Sequence, residues 1–203
     1  MKKYKLILTM LACFILIMTG CRTLDQSTLV KAANEDNDPG VRSSAVAKIT
    51  DQPTLTKIAI EDKDPYVQLV AAKELTDQSL IAKVAVESMD VEVRLVVIEK
   101  LMDPSILAKI AVEDKDYEIR SAAVKKLVDP FLLAKIAIED KNTYVRTVAV
   151  EKQNDVSMLQ KIAMESGDPL VRSVAIEKIA EWRRLNAEAI IPDSSSTGKK
   201  TDP

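Results

Sequence analysis

The sequence predicts an all-α fold, an α-solenoid of six consecutive 26-residue helix-turn-helix repeats. Two observations carry this prediction. The segment LAKIAVEDKDYEIRSAAVKKLVDP, from Leu107 to Pro130, is followed from Leu133 by the closely similar LAKIAIEDKNTYVRTVAVEKQND. The composition is 47% hydrophobic, 30% charged and only 3% aromatic, with four glycines. Such a balance favours short helices around an aliphatic core over a β-sandwich or a disordered chain.

The N-terminal element combines three lysines, at positions 2, 3 and 5, with a 13-residue apolar run from Leu6 to Met18. The run is too short to span a bilayer as a helix but suits the hydrophobic region of a signal peptide. It ends in Met18-Thr19-Gly20-Cys21, which resembles a bacterial lipoprotein signal. The resemblance implies removal of residues 1–20 and lipidation of Cys21, for example with palmitate. An ordinary secretory signal and an uncleaved anchor are the alternatives.

The predicted anchor would place the protein in the bacterial cell envelope, attached to the membrane through lipidated Cys21. Residues 21–25 would form a short tether to the first repeat. In lipoproteins of bacteria with two membranes, Asp after the lipidated Cys tends to retain the protein in the inner membrane. Arg22 stands there, so we expect the outer membrane in such an organism, and the outer face of the plasma membrane in one with a single membrane.

Six repeats occupy residues 26–181 without a gap. They begin at Gln26, Gln52, Gln78, Pro104, Pro130 and Val156. Each contains two short apolar stripes at helical spacing, and an Asp precedes each stripe in most copies, as Asp103 and Asp116 do in the fourth repeat. Helices this short are marginal alone, so stacked copies are needed to bury their apolar faces.

The repeated signature D-x-x-V-R-x-x-A, as in Asp168 to Ala175, resembles the short variety of HEAT-like repeat. The leucine-rich variant repeat, whose helices alternate between α and 3₁₀ forms, is a near relative. The type of the second helix is therefore left open. After the sixth repeat, residues 182–190 are predicted to cap the stack with Trp182 and Leu185, and residues 191–203 form a polar tail predicted to be disordered.

An Asp/Arg ladder between neighbouring repeats is implied by the HEAT-like resemblance. Asp recurs at the thirteenth position of the repeat and Arg at the seventeenth, with Asn142 and Gln68 as exceptions. The alternative for these residues is an anion-binding stripe. The residues concerned are Asp38, Asp64, Asp90, Asp116 and Asp168, with Arg42, Arg94, Arg120, Arg146 and Arg172.

A candidate binding edge is formed by Tyr66, Tyr117 and Tyr144, which all fall at position fourteen or fifteen, where the second helix starts. Stacked repeats would align them, and Tyr is enriched at interface hot spots. Local packing against a turn is the alternative role.

The composition argues against several classes of function. The chain has no His, which removes the commonest general base and metal ligand. Its net charge of −2 offers no basic excess for nucleic acid. Glu-Asp pairs such as Glu61-Asp62 and Glu139-Asp140 lack the Ca²⁺-loop pattern and are interpreted as solvated turns. No catalytic residue, metal site, cofactor or small-molecule substrate is predicted.

The sequence therefore leads us to expect a non-catalytic, membrane-anchored scaffold that binds another envelope protein, whose identity is not encoded in any motif. A purely structural spacer at the surface is one alternative. An accessory unit of a lyase-type enzyme is another, since HEAT-like repeats also occur in such proteins. The binding role rests on resemblance, because a fold alone does not fix a function.

Overall fold

A computed structural model of the chain describes residues 25–190. The predicted signal peptide (1–20), Cys21, Arg22 and the C-terminal tail (191–203) lie outside the described residues. Within 25–190 the secondary structure is helical, with no β-strand. The predicted fold class, all-α with repeated helix pairs as in an α-solenoid, is confirmed.

The described residues form six helix pairs. Each odd-numbered helix begins at the first residue of a repeat, and both helices of every pair are α-helices, which answers the question that the sequence left open. The helices are α1 (Gln26–Glu35), α2 (Pro39–Val46), α3 (Gln52–Glu61), α4 (Pro65–Glu74), α5 (Gln78–Glu87), α6 (Val91–Lys100), α7 (Pro104–Glu113), α8 (Tyr117–Lys126), α9 (Pro130–Glu139), α10 (Thr143–Lys152), α11 (Val156–Glu165) and α12 (Pro169–Ile190).

Side-chain caps set the helix starts. Asp103 Oδ1 accepts hydrogen bonds from the backbone N–H groups of Ser105 (2.8 Å) and Ile106 (3.2 Å), at the start of α7. Such bonds satisfy N–H groups that have no partner within the helix. The same device recurs before α3, α5, α9 and α11, through Asp51, Asp77, Asp129 and Asp155.

The chain divides into two compact units between Val96 and Val97, within α6. In the first unit, α3 packs against α4 and α5, and α2 packs against α4. In the second, α8 packs against α10 and α10 against α12, while α9 packs against α11. First helices thus stack on first helices and second on second, and the core of each unit is aliphatic, as Leu55, Val67, Ile119 and Leu133 illustrate.

Glutamine amides tie the end of one repeat to its start. Gln52 Oε1 accepts from the Thr76 N–H at 2.7 Å. In the fifth repeat Pro130 stands at the equivalent position, and the tie runs the other way: Gln153 Nε2 donates to the Pro130 carbonyl at 2.7 Å. Gln153 Oε1 also accepts from the N–H groups of Asn154 and Asp155, both at 3.0 Å. Although Gln153 is only 1% exposed, its polar atoms are therefore bonded.

The C-terminal end differs from the predicted cap. Helix α12 continues through the sixth repeat to Ile190 without a break at residue 182. Trp182 and Leu185 are 47% and 52% exposed, so neither covers the core in the way that the sequence predicted. Among residues 169–186 of α12, the buried side chains are Val171, Ala175 and Ile179.

Candidate functional site

Buried arginine–aspartate pairs join consecutive repeats. Arg120 donates from Nε and Nη2 to the two carboxylate oxygens of Asp140, both at 2.8 Å. Arg42 makes the same two bonds to Asp62, at 3.0 and 2.9 Å. The side chains of Arg120 and Asp140 are 1% and 6% exposed. Each pair is bidentate, the strongest geometry that an arginine and a carboxylate form.

The acidic partner is a different residue from the predicted one. Asp62 and Asp140 occupy position eleven of the following repeat, so the expectation that the Glu-Asp pairs are solvated turns is wrong for these two residues. The thirteenth-position Asp side chains bind the N–H groups of their own second helix instead. A short carboxylate placed just before a helix reaches that helix first. The residues that do so are Asp38, Asp64, Asp90 and Asp116.

Among the aspartates of the predicted ladder, Asp168 both caps its own second helix and binds an arginine of the preceding repeat. Its Oδ1 accepts from the Leu170 N–H at 2.9 Å, while its Oδ2 accepts from Arg146. Ser166 stands at position eleven of the sixth repeat, where Asp62 and Asp140 stand in theirs. As a result Arg146 Nε is buried and has no hydrogen-bond partner.

The seventeenth-position side chain also fastens the turn of its own repeat. Arg120 Nη1 donates to the Asp114 carbonyl at 3.0 Å, and Arg172 Nη1 donates to the Ser166 carbonyl at 2.8 Å. Gln68, the exception to the Arg pattern, makes the same kind of bond to the Asp62 carbonyl. Arg94 Nε donates to the Ala85 carbonyl at 2.8 Å. These bonds fix the side chains and support a structural role.

The pairing shifts the acid–base equilibria of the groups concerned. The hydrogen bond from Arg146 holds the pKa of the Asp168 carboxyl at about 2, against an ordinary 3.8. Burial raises the pKa of Asp140, but the Arg120 hydrogen bond and other favourable contacts outweigh it, so the net pKa lies below its ordinary value. Both carboxylates are therefore charged near neutral pH.

Acid is expected to weaken the fold through these carboxylates. A lowered native pKa means that the carboxylate contributes stability above its ordinary pKa and loses that contribution as the pH falls through the native value. For Asp168 the window runs from the ordinary 3.8 down to about 2. Urea denaturation repeated at descending pH should show the free energy of unfolding falling across this window. Asp168→Asn should flatten the fall, and an unchanged slope in that variant would contradict the assignment.

The unpartnered Nε of Arg146 predicts that Ser166→Asp stabilises the protein. An aspartate there would accept the bond that Asp140 accepts from Arg120, a gain of about 1–2 kcal/mol. The matched control is Ser88→Asp, because Gln68 rather than an arginine occupies position seventeen of the preceding repeat. Ser88 is 3% exposed, so this carboxylate would be buried without an arginine from the preceding repeat to bind it and should destabilise. Urea denaturation that moved both variants in the same direction would contradict the repeat-by-repeat account.

Two of the three predicted tyrosines contact each other. The rings of Tyr117 and Tyr144, at the starts of α8 and α10, lie edge to face, with centroids 6.3 Å apart and planes at 90°. Their residues are 43% and 51% exposed. Tyr66 belongs to the first compact unit and is 62% exposed. Packing into a turn does not bury any of the three.

A hydrogen bond orients one hydroxyl of the pair. Tyr117 Oη donates to Glu118 Oε1 at 3.0 Å, and this bond to the carboxylate raises the pKa of the phenol above its ordinary value. The T-shaped contact is of a kind worth about 0.5–1.5 kcal/mol. Both residues lie in the first turn of their helices, whose N-termini are capped by Asp116 and Asn142. The pair is therefore a preoriented, half-exposed aromatic surface.

Clefts lie beside the bidentate arginine–aspartate pair of each compact unit. The cleft at Arg42–Asp62 has a volume of about 260 Å³ and that at Arg120–Asp140 about 270 Å³. Both are lined by lysine and glutamate side chains of first helices, and neither contains a Ser, Thr, Cys or His. In the described part of the chain, no three His, Cys, Asp or Glu side chains converge as metal ligands would. Within the same residues, no helix is both long and apolar enough to cross a bilayer.

Comparison of the chain with family models, curated proteins and solved structures finds no match.

Proposed function

We propose that this protein is a membrane-anchored lipoprotein that acts as a non-catalytic scaffold for another protein of the bacterial envelope. The observation that carries the proposal is the half-exposed, edge-to-face pair of Tyr117 and Tyr144. Tyrosine contributes a large contact area at a low cost in side-chain entropy and is enriched among hot spots. Tyr66 is assigned to the same kind of surface in the first compact unit.

The rigidity of its setting supports the assignment of the pair as a binding surface. The helices that present Tyr117 and Tyr144 pack against each other, and the bidentate Arg120–Asp140 pair joins the same two repeats. A preoriented aromatic pair pays little ordering entropy when a partner binds. The D-x-x-V-R signature supports the proposed HEAT-like nature of the repeats.

The anchor rests on the N-terminal sequence. Lysines, a short apolar run and Met18-Thr19-Gly20-Cys21 together support cleavage before Cys21 and its lipidation. Several acyl chains would hold the protein stably at a membrane, where one chain would not. Incorporation of labelled palmitate into the full chain, abolished by Cys21→Ser, tests this part. Labelling that persists in Cys21→Ser would refute it.

The absence of an enzymatic role is also a proposal, supported by the composition of the clefts. Lysine and glutamate side chains line them beside an arginine–aspartate pair. The arrangement resembles a solvated junction between repeats more than a site that activates a nucleophile.

Replacing both tyrosines of the pair by alanine is expected to abolish capture of the partner. Truncating aromatic hot spots costs at least about 2 kcal/mol each, equivalent to roughly 30-fold in affinity. Because both side chains are half exposed, the melting temperature should change little. The measurement is quantitative mass spectrometry of envelope proteins crosslinked to Tyr117→Ala/Tyr144→Ala and to the unsubstituted chain.

Phe131→Ala is the matched control for this comparison. Phe131 is an aromatic residue of the same compact unit, 71% exposed, but it lies in the first turn of a first helix rather than of a second. A partner lost equally from both variants, or from neither, would contradict a binding role for the tyrosine pair.

A further inference from the structure

In the part of the chain that the structure describes, the first and sixth repeats each carry an unpaired half of an inter-repeat arginine–aspartate pair, which is called a rung below. In the sixth, Arg172 stands at position seventeen, and residues 182–203 after this repeat do not repeat the pattern. In the first, Asp36 stands at position eleven, and residues 1–25 before this repeat do not show the pattern. Among residues 25–190, the carboxylate of Asp36 binds no arginine and Arg172 binds no carboxylate.

Arg172 and Asp36 make the same local hydrogen bonds as the arginine and the aspartate of a pair inside the repeat stack. Arg172 Nη1 donates to the Ser166 carbonyl at 2.8 Å, as Arg120 Nη1 does to the Asp114 carbonyl at 3.0 Å. That bond leaves Nε and Nη2, the two groups with which Arg120 binds Asp140. Asp36 Oδ1 accepts from the Asp38 N–H at 2.9 Å, the same i to i+2 contact that Asp140 makes to Asn142 at 2.8 Å.

The apolar residues around these two halves are exposed where their internal counterparts are buried. Position sixteen is fully buried from the second repeat onward, yet Val41 in the first repeat is 42% exposed. Position twenty-one is fully buried through the fifth repeat, yet Ile176 in the sixth is 57% exposed. The buried counterparts at position sixteen are Val67, Val93, Ile119, Val145 and Val171, and those at position twenty-one are Val46, Ala72, Ile98, Val124 and Val150.

We propose that the face of the sixth repeat bearing Arg172 and Ile176 binds the face of the first repeat bearing Asp36 and Val41 in a second copy of this chain. The charges are complementary, and the apolar residues are those that internal junctions bury. The two faces differ, so the contact is head to tail and leaves a free face on each side of a dimer. A contact of this kind can therefore add further copies. The surface is distinct from the tyrosine pair.

Site-specific crosslinking of two differently tagged full-length chains, co-expressed in a bacterial envelope, tests the proposal. One carries Val41→Cys and the other Ile176→Cys, and a short bismaleimide joins thiols that lie close together. Crosslinking suits a contact made by a single repeat, because it captures weak association. We expect a product that carries both tags and is absent from the chain with no added cysteine.

Leu170→Cys is the matched control, since Leu170 lies on the same helix and is 54% exposed. Replacing Ile176→Cys by Leu170→Cys should abolish the product. Adding Arg172→Asp to the Ile176→Cys chain should also abolish it. Adding Asp36→Arg to the other chain as well should restore it, because the rung is then rebuilt with its charges exchanged.

Three results would overturn the proposal. The first is no mixed product although a monofunctional maleimide labels both cysteines. The second is an equal yield from Leu170→Cys, which indicates random collision. The third is Ile176→Cys that labels only after residues 191–203 are deleted, which assigns this face to the chain's own tail.

Discussion

Arg120→Met is expected to lower the free energy of unfolding by about 3 kcal/mol. The substitution removes both hydrogen bonds to Asp140 and leaves that carboxylate, 6% exposed, without a cation. It also removes the bond to the Asp114 carbonyl. Breaking a buried ion pair from one side is costly because the remaining charge stays desolvated. Urea denaturation followed by far-ultraviolet circular dichroism measures the change.

The repeat supplies a matched control in Arg172→Met. Arg172 occupies the same position and makes the same bond to a turn carbonyl, but no carboxylate among the described residues binds it. This variant should lose about 1 kcal/mol or less. Arg120→Met/Asp140→Asn should recover part of the larger loss, since no uncompensated charge is then buried. Equal losses from Arg120→Met and Arg172→Met would contradict the role assigned to the inter-repeat pair.

Leu107→Ala is expected to cost about 2–5 kcal/mol. Leu107 is 4% exposed in the core of the second compact unit, and a chain with 3% aromatic residues has few large side chains that could fill the cavity. Leu185→Ala is the control, because Leu185 is 52% exposed on α12 and its truncation should change the free energy by no more than about 0.5 kcal/mol. The same denaturation experiment compares Leu107→Ala with Leu185→Ala. Similar losses of stability would contradict the exposed position of Leu185 on α12.

The fold was predictable because its determinants are local and repeated. Caps such as Asp103 lie directly before the helix that they start, so the position of every first helix can be read from one repeat and extended to the others. Apolar residues at helical spacing then assign the buried faces, as Leu107 and Ile119 show. The helical type of the second element was not predictable, because the resemblance allowed both α and 3₁₀ forms.

The partner of each arginine was harder to predict because a long side chain reaches beyond its own repeat. The prediction placed it with the Asp at position thirteen of a neighbouring repeat, whereas Arg42 and Arg120 bind position eleven of the next repeat. The sequence did contain a signal: Gln68 replaces Arg in the second repeat, and Ser88 replaces Asp at position eleven of the third. Only a comparison between repeats, rather than within one, exposes that correspondence.

Other contacts depended on three-dimensional placement. Gln153 stands where the other repeats have Leu or Ile, and only the structure shows that it bonds Pro130 and two backbone N–H groups. Trp182 and Leu185 were predicted to cap the last core face, but both are about half exposed on α12, which continues to Ile190. Tyr117 and Tyr144 occupy nearly equivalent positions in neighbouring repeats, so stacking of those repeats brings the two rings into contact.

Photo-crosslinking in cells from position 117, followed by mass spectrometry, tests whether the tyrosine pair binds a protein of the envelope. A photoreactive residue in place of Tyr117 samples whatever lies against the tyrosine pair, and the same residue at Phe131 samples another exposed surface of the same unit. We predict one recurrent envelope protein captured from position 117 and not from position 131. Lipid or cell-wall material alone, no product, or the same proteins from both positions would contradict a scaffold that binds through this surface.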